Sequence, residues 1–389
     1  MKKFAPLALM LVAPLGATPQ SPNLLPDVIV VDPGGGPGVD FTSLASAIAV
    51  ARPGGRIELR PGSYLPVTVT TPIVLMGEPG VFVNGITVDS QSSPRPLVIA
   101  DVATSLFVRD CVGPVILDNS SDPDAYALNA SGFVGVHNSE GVWIRGLRMT
   151  TQFGLAMDIL DSTVFMDDVR IEADPVQLFY ADGPDGMEIR GTSLVVLSNS
   201  DIEGGTGGCS PDFLPPGTSG DALVLRDTSE LFLLDTELTR GQSDTFPTCI
   251  QSAGTGKTLQ QLGGSVLSTQ TYSGVTPSSS FTVNSDFPVL TAEPVGRDVR
   301  FTLCTVPLSS GRVFFGGRTQ LNSFAGAQIP LAFRTRFGRS LGFIQASGMG
   351  STNIGLRGFQ RGTVFTAQGS RTLLLGQTEL SNPIINVVR

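Results

Sequence analysis

Apolar and polar residues in the middle of the chain recur in an eight-residue frame. It runs over 142–149, 164–171, 195–202 and 231–238, with a weaker copy at 259–266 and a partial one near Leu106 that fails after Cys111. Positions one and three are apolar in the four strong copies, and position eight is apolar in all five. Strand alternation therefore points these residues into one interior. Position five reads Gly146, Asp168, Asn199, Asp235 and Gly263. These residue types tolerate a left-handed backbone, so the column predicts a tight bend between two strands of each coil. Successive strong copies start 22 to 36 residues apart, the spread of a solenoid coil carrying loops of variable length.

Ahead of the repeats comes Val31-Asp32-Pro33, a glycine-rich turn, then Asp40-Phe41-Thr42-Ser43-Leu44. Leu44, Ala47, Ile48 and Ala51 predict a short amphipathic helix at about 42–51, with Asp40 or Thr42 as its cap and Pro53-Gly54 as its end. Arg56 to Leu59 reads as a strand, and Pro61-Gly62-Ser63-Tyr64 as a turn. A β-helix has an open end whose core would face water, and a helix laid over it closes that end. This stretch closely resembles the opening of pectin-lyase-like β-helix proteins, where G-x-D-F-T-S-L-x-x-A-I leads to P-G-x-I-x-L-x-P-G-x-Y. The resemblance, at the level of fold over 28–270, implies a right-handed parallel β-helix with an N-terminal capping helix. It implies little about activity, because lyases, esterases and non-enzymes share the pattern.

Three segments follow. Residues 1–17 read as an export signal: Lys2 and Lys3 precede an apolar run from Phe4 to Leu15, then Gly16 and Ala17. The run is too short to span a bilayer, and the mature protein is expected to be secreted, periplasmic or at the cell surface. Residues 18–285 form the β-helix. In 286–389, Val299, Phe301 and Leu303 alternate with polar residues, and later short apolar runs are separated by Gly, Ser, Asn and Arg. That pattern predicts a small antiparallel sandwich or barrel, so the whole chain is all-β. Charge divides the same way: residues 287–389 hold 11 arginines against Glu293, Asp298 and Glu379, whereas 18–286 carry a net charge of −19. Two modules of opposite sign are expected either to attract each other or to meet different partners.

Chemistry is sparser. Pectin-lyase-like enzymes place carboxylate pairs, or calcium-binding acids with an arginine base, outward on adjacent coils. On that resemblance Asp167 and Arg170 are the catalytic candidates, and calcium enters only under a lyase reading. Asp168, however, occupies the bend column. Asp167 stacks over Arg145 of the previous coil, so a cross-coil surface ion pair explains it without catalysis. Position seven forms an outward ladder of Arg148, Arg170, Asp201, Glu237 and Ser265, in which two neighbouring arginines need an acid or an anionic ligand between them. Position two holds Trp143, Phe165, Val196 and Phe232, with Gln260 last. Such an aromatic stripe suits sugar rings, and the plainer alternative is that loops or the basic module cover it.

His137 is the only histidine and reads as part of a turn, which excludes a two-histidine metal site. Asp182-Gly183-Pro184-Asp185-Gly186 lacks the spacing of a dedicated calcium loop. Gly254-Thr255-Gly256-Lys257-Thr258 lacks the first glycine of a phosphate loop, Gln251 standing there. Cys209 and Cys249 follow consecutive frames and are expected to pair, Cys111 and Cys304 to stay unpaired. Arg334, Arg336, Arg357 and Arg361 form a basic surface that either docks on the acidic helix or holds an acidic polymer. Nucleic acid is a poor candidate outside the cell. These features predict a monomeric, exported β-helix protein without cofactor, non-catalytic, with a carbohydrate-binding role toward an acidic polysaccharide or cell-surface glycan. The alternative is a polysaccharide lyase or glycoside hydrolase acting on an acidic glycan.

Overall fold

The computed structural model describes residues 28–119, 132–151, 154–173, 181–208, 216–242, 255–275, 280–295, 298–305, 310–316, 319–322, 331–333, 337–343, 349–355, 364–372 and 378–387. Cys209, Cys249, Arg334, Arg336, Arg357, Arg361 and the export signal lie outside them. None of the helices described is long and apolar enough to cross a membrane.

The frame closes into a parallel β-helix. Its first long sheet runs rung by rung from Val28–Val31 to Phe281–Val283, and its second from Gly62–Tyr64 to Leu259–Gln261. A short third sheet stacks Arg148–Thr151, Arg170–Ala173, Asp201–Glu203 and Glu237–Thr239. Frame positions one and three (Val142 and Ile144, Val164 and Met166, Val195 and Leu197, Leu231 and Leu233) pair in register and lie in the buried interior. Position five turns the corner between the first and third sheets. Gly146, Asp168, Asn199 and Asp235 have φ of 62°, 54°, 49° and 52°, as the residue types require.

The corner from the second sheet back to the first repeats the device. Asn138, Asp161 and Asp227 are left-handed there, and buried serines follow as a ladder. Ser139 Oγ accepts from the Cys111 N–H, Ser162 Oγ from Ser139 N–H and Ser193 Oγ from Ser162 N–H, so the bend leaves those donors satisfied.

The structure shifts the register of the two weak copies. Leu259–Gln261 belongs to the second sheet and pairs with Leu223–Leu225, and the true fifth rung of the first sheet is Ser265–Ser268, pairing Val266 with Leu231 and Leu267 with Phe232. Gly263-Gly264 is the opposite corner: Gly264 has φ of 71° and Ser265 N–H bonds Ser229 O. Both corners accept glycine, so residue type alone did not separate them. Ser265 therefore leaves the position-seven ladder, and Gln260 leaves position two. Likewise Leu106 lies in the second sheet, and the rung above Val142–Arg145 is Val115–Asp118.

Leu44–Val50 is helical and caps the helix end, burying Leu44 and Ala47. Its N-cap is Ser43, whose Oγ accepts from Ser46 N–H, rather than Asp40 or Thr42. Asp40 instead accepts from Val30 N–H, tying the turn to the first strand.

Between the third and second sheets the coils are closed by glycine backbones. Gly183, Gly204, Gly207, Gly217, Gly220, Gly241 and Gly256 each lie so close to a neighbouring carbonyl that a Cβ has no room. The N–H of Gly205 bonds Pro184 O, that of Gly220 bonds Gly205 O, that of Gly241 bonds Gly220 O, and that of Gly256 bonds Gly241 O.

Beyond the last rung the pairing becomes antiparallel. One sheet contains Val289–Val295, Asp298–Cys304 and Met349–Gly355. A second contains Phe337–Phe343, Ser310–Gly316, Val364–Thr372 and Thr378–Val387, and Thr319–Asn322 pairs separately with Leu331–Phe333. The first two sheets pack around Leu290, Phe301, Leu303, Val313, Phe315 and Ile384, with Phe301 and Phe315 edge to face at 5.4 Å. Met349–Gly355 has no sequence alternation to mark it as a strand.

Candidate functional site

The outward face of the first long sheet is not open. Position two now reads Val98, Ile116, Trp143, Phe165, Val196, Phe232 and Leu267, and it forms one apolar cluster with Phe287, Val289 and Val387 of the C-terminal module. Trp143, Phe165 and Phe232 are 1 %, 2 % and 6 % exposed. Trp143 stacks on Phe165 at 4.6 Å. The stripe is covered in this structure and not displayed to solvent.

Position four lies under the same cover: Asp118, Arg145, Asp167, Ser198 and Leu234 are all buried. Arg145 Nε stands 3.5 Å from Asp167 Oδ2, so the expected cross-coil pair forms, but as a buried pair rather than a surface one. Asp167 Oδ1 also accepts from Ser198 Oγ at 3.0 Å and Asn199 Nδ2 at 2.6 Å. Module and helix meet through polar contacts as well. Val387 N–H donates to Asp118, Arg145 to Ala292 O, and Asn382 Nδ2 to Ser198 Oγ. The joint is thus an apolar stripe reinforced by hydrogen bonds.

Burial raises the Asp167 carboxyl above its ordinary value despite the opposing pull of Arg145, Asn199 and Ser198. The native state thus binds this proton more tightly than the unfolded chain. Its stability contribution is full below the unfolded value of about 3.9 and is lost as pH rises through the higher folded value. Asp167→Asn is expected to flatten that part of the pH dependence, read as urea midpoints of both proteins between about pH 4 and pH 8.

Four ladder residues remain accessible and are brought together. Arg148, Arg170, Asp201 and Glu237 stand in register on the short third sheet, about 4.8 Å apart per rung. With Asp168, Asn199, Asp235, Thr236 and Gln270 they line an open groove of about 490 Å³. The arginine pair is already answered by protein acids. Arg148 Nη2 lies 2.5 Å from Asp168 Oδ1, and Arg170 Nη2 lies 2.5 Å from Glu172 Oε1 with its Nε 3.9 Å from Asp201. Burial and then the neighbouring Glu237 raise the Asp201 carboxyl, with Arg170 pulling it back. Four lining acids against two arginines make the groove net negative.

A second cluster was not visible in sequence. His137 ends the strand Val134–His137 instead of lying in a turn, and its Nε2 is 2.8 Å from Asp158 Oδ2. Arg190 clamps the same carboxylate through Nε at 3.0 Å and Nη2 at 2.8 Å. Burial would raise Asp158, but the hydrogen bonds from Arg190 and His137 hold it below its ordinary value. An ionised carboxylate only accepts, so His137 Nε2 carries the proton and donates. The three come from consecutive rungs of the second sheet. Their separations of 21 and 32 residues match no fixed period, which hid the cluster.

Asp182 and Asp185, weighed as calcium ligands, spend their carboxylates on backbone. Asp182 Oδ1 accepts from Thr218 N–H and Oγ, and Asp185 Oδ1 from Asp221 N–H. Among the described residues no group of three or more His, Cys, Asp or Glu is placed to hold a metal. The chain was compared with protein-family models and with curated proteins, and neither comparison gave a match.

Proposed function

We propose that this is an exported, non-catalytic β-helix protein of pectin-lyase-like architecture that binds a glycan in the groove of Arg148, Arg170, Asp201 and Glu237. The observation carrying this reading is the groove itself: an open, rung-spaced row of charge-assisted donors and acceptors flanked by Asn199 and Gln270. Sugar hydroxyls both donate and accept, so such a mixed row suits them. The ligand proposed is neutral. The arginines are engaged by Asp168, Glu172 and Asp201, and the remaining acids would repel a polyuronate. The burial of Asp167, the carboxylate the enzymatic alternative would use, at 7 % exposure supports the binding reading over that alternative.

Affinity electrophoresis and calorimetry with neutral and acidic glycans test this. Arg170→Ala and Glu237→Ala are each expected to weaken binding roughly tenfold with an unchanged circular dichroism spectrum, since each removes a charged hydrogen-bonding partner. A parallel screen for unsaturated products and new reducing ends on polygalacturonate and alginate, with and without calcium, is expected to show no turnover. Turnover abolished by Arg170→Ala would replace the binding reading with the lyase.

A further inference from the structure

The open face of the second long sheet carries aromatic rings and polar groups arranged about a bare glycine. Phe107, Gly135 and Asp158 are neighbours on successive rungs, and Arg109, His137 and Leu160 form the adjacent column. Both columns point away from the interior, which on these strands is filled by Leu106, Val108, Val134, Val136, Met157 and Ile159.

At Gly135 a Cβ would run into the Phe107 ring and come within 2.8 Å of Phe133 Cε1, so both rings occupy the space over the glycine. Both are half-buried, which leaves ring surface facing out. His137 meets Phe107 edge-on at 4.9 Å and closes one side of the platform. Its side chain is 22 % exposed and that of Arg190 37 %, beside a nearly buried Asp158.

The hydrogen bonding of this cluster leaves a defined remainder. His137 spends its Nε2 proton on Asp158, so in the neutral ring Nδ1 keeps its lone pair, and among the described residues nothing bonds to it. Arg190 uses Nε and one Nη2 hydrogen on Asp158, and its five-donor fork has further N–H groups to offer. One acceptor and a fixed donor thus stand at the edge of an aromatic surface. The charge of the site is balanced, Asp158 against Arg190; around it Glu188 pairs with Arg226 and Arg109 with Asp89, while Asp227 acts on Arg190 and Asp161 lies at the adjoining corner.

We propose that Phe107, Phe133, His137, Asp158 and Arg190 form a second carbohydrate subsite that takes one neutral pyranose of a glycan. The apolar C–H face of the ring lies on Phe107 and Phe133. One hydroxyl donates to His137 Nδ1, and another accepts from the Arg190 guanidinium. Asp158 touches no sugar atom in this arrangement; it fixes the histidine tautomer and holds the arginine fork, which makes it a positioning residue. An anionic sugar is disfavoured by Asp227 and Asp161, and the absence of a Cβ at Gly135 leaves the space that the two rings occupy. The subsite shares three coils with the groove on the third sheet but lies on a different sheet, and it does not depend on that groove being a binding site.

Because His137 is the only histidine, its ring gives a single assignable set of nitrogen and carbon-bound proton resonances in the full-length mature protein. The experiment titrates histidine-labelled protein at pH 7.5 with neutral hexasaccharides of glucose, mannose or galactose units, and with oligogalacturonate as the charged control. The expected result is a saturable shift of the His137 resonances with at least one neutral oligosaccharide. Phe107→Ala should weaken it roughly tenfold, the worth of a lost stacking contact. His137 resonances unmoved by every neutral oligosaccharide would overturn the proposal, and so would a shift produced by oligogalacturonate alone. The wild-type titration stands by itself if Phe107→Ala fails to fold. Repeating it in Arg170→Ala separates the two sites: the His137 shift persists if this subsite is real, even where groove binding is lost.

Discussion

Gly220→Ala is expected to be the most damaging single-methyl change in the β-helix, leaving no cooperative native state at moderate urea. The added Cβ would overlap the Pro184 carbonyl oxygen and stand 3.0 Å from Asp185 N. That carbonyl has nowhere to go, because it accepts the Gly205 N–H at 2.8 Å while Gly205 O accepts the Gly220 N–H at 2.7 Å. Relief would require parting a backbone stack that continues through Gly241 and Gly256, with buried peptide groups losing partners at each step. Overlap of this kind, added to unsatisfied backbone groups, costs about 4 kcal/mol or more, a large part of a typical domain's stability. Gly141→Ala is the matched control. Gly141 has φ of 68° but nothing within 4 Å of its missing Cβ, so the left-handed backbone alone sets a cost of about 1–2 kcal/mol. Urea unfolding followed by circular dichroism should rank the two far apart. Equal effects would mean that backbone conformation, not close packing, explains the glycines of this layer.

Much of the helix was legible because a solenoid writes its geometry into columns. Val142, Val164, Val195 and Leu231 share an interior, and Gly146, Asp168, Asn199 and Asp235 share a bend, so residue type and spacing carried the same message. Reading failed where one signal had two physical sources. A glycine or small polar residue marks either corner of the coil, and this moved the fifth copy from Val266 to Leu259. The C-terminal antiparallel sheets were foreshadowed by the alternation in Asp298–Cys304, whereas Met349–Gly355 draws its strand character from its neighbours.

The site residues divided for a different reason. Sequence gives the face on which a side chain lies, and not what lies over that face. Position two was correctly outward, yet outward meant solvent in one reading and a second module in the other. The hydrophobicity of Trp143, Phe165 and Phe232 fitted both. Arg148, Arg170, Asp201 and Glu237 stayed accessible because they belong to the third sheet, which Phe287, Val289 and Val387 do not cover. His137, Asp158 and Arg190 meet only because loops of unequal length set their rungs side by side.

Trp143→Ala separates the two readings of the stripe by thermodynamics alone, and it is expected to destabilise the protein by about 3–5 kcal/mol, the range for emptying a buried large aromatic site. The indole is 1 % exposed, stacks on Phe165 at 28° to its plane, and packs in the cluster that joins helix and module. Its Nε1 has no hydrogen-bond partner within the described residues, so the side chain contributes by packing and stacking and not through its polar handle. Trp143→Phe, which keeps an aromatic ring over Phe165, is accordingly expected to cost much less, about 1 kcal/mol. Both variants lack the only tryptophan, so unfolding is followed by far-ultraviolet circular dichroism against urea. A residue displayed to solvent for sugar binding would behave otherwise: its truncation would change stability by less than about 0.5 kcal/mol and weaken glycan binding. A large loss of stability in Trp143→Ala, with glycan affinity of the remaining folded protein unchanged, makes the aromatic stripe the adhesive between two modules and leaves recognition to the groove and the histidine face. A stable variant that no longer binds glycan would mean that the C-terminal sheets leave this face in solution, with Trp143 at the centre of the binding site.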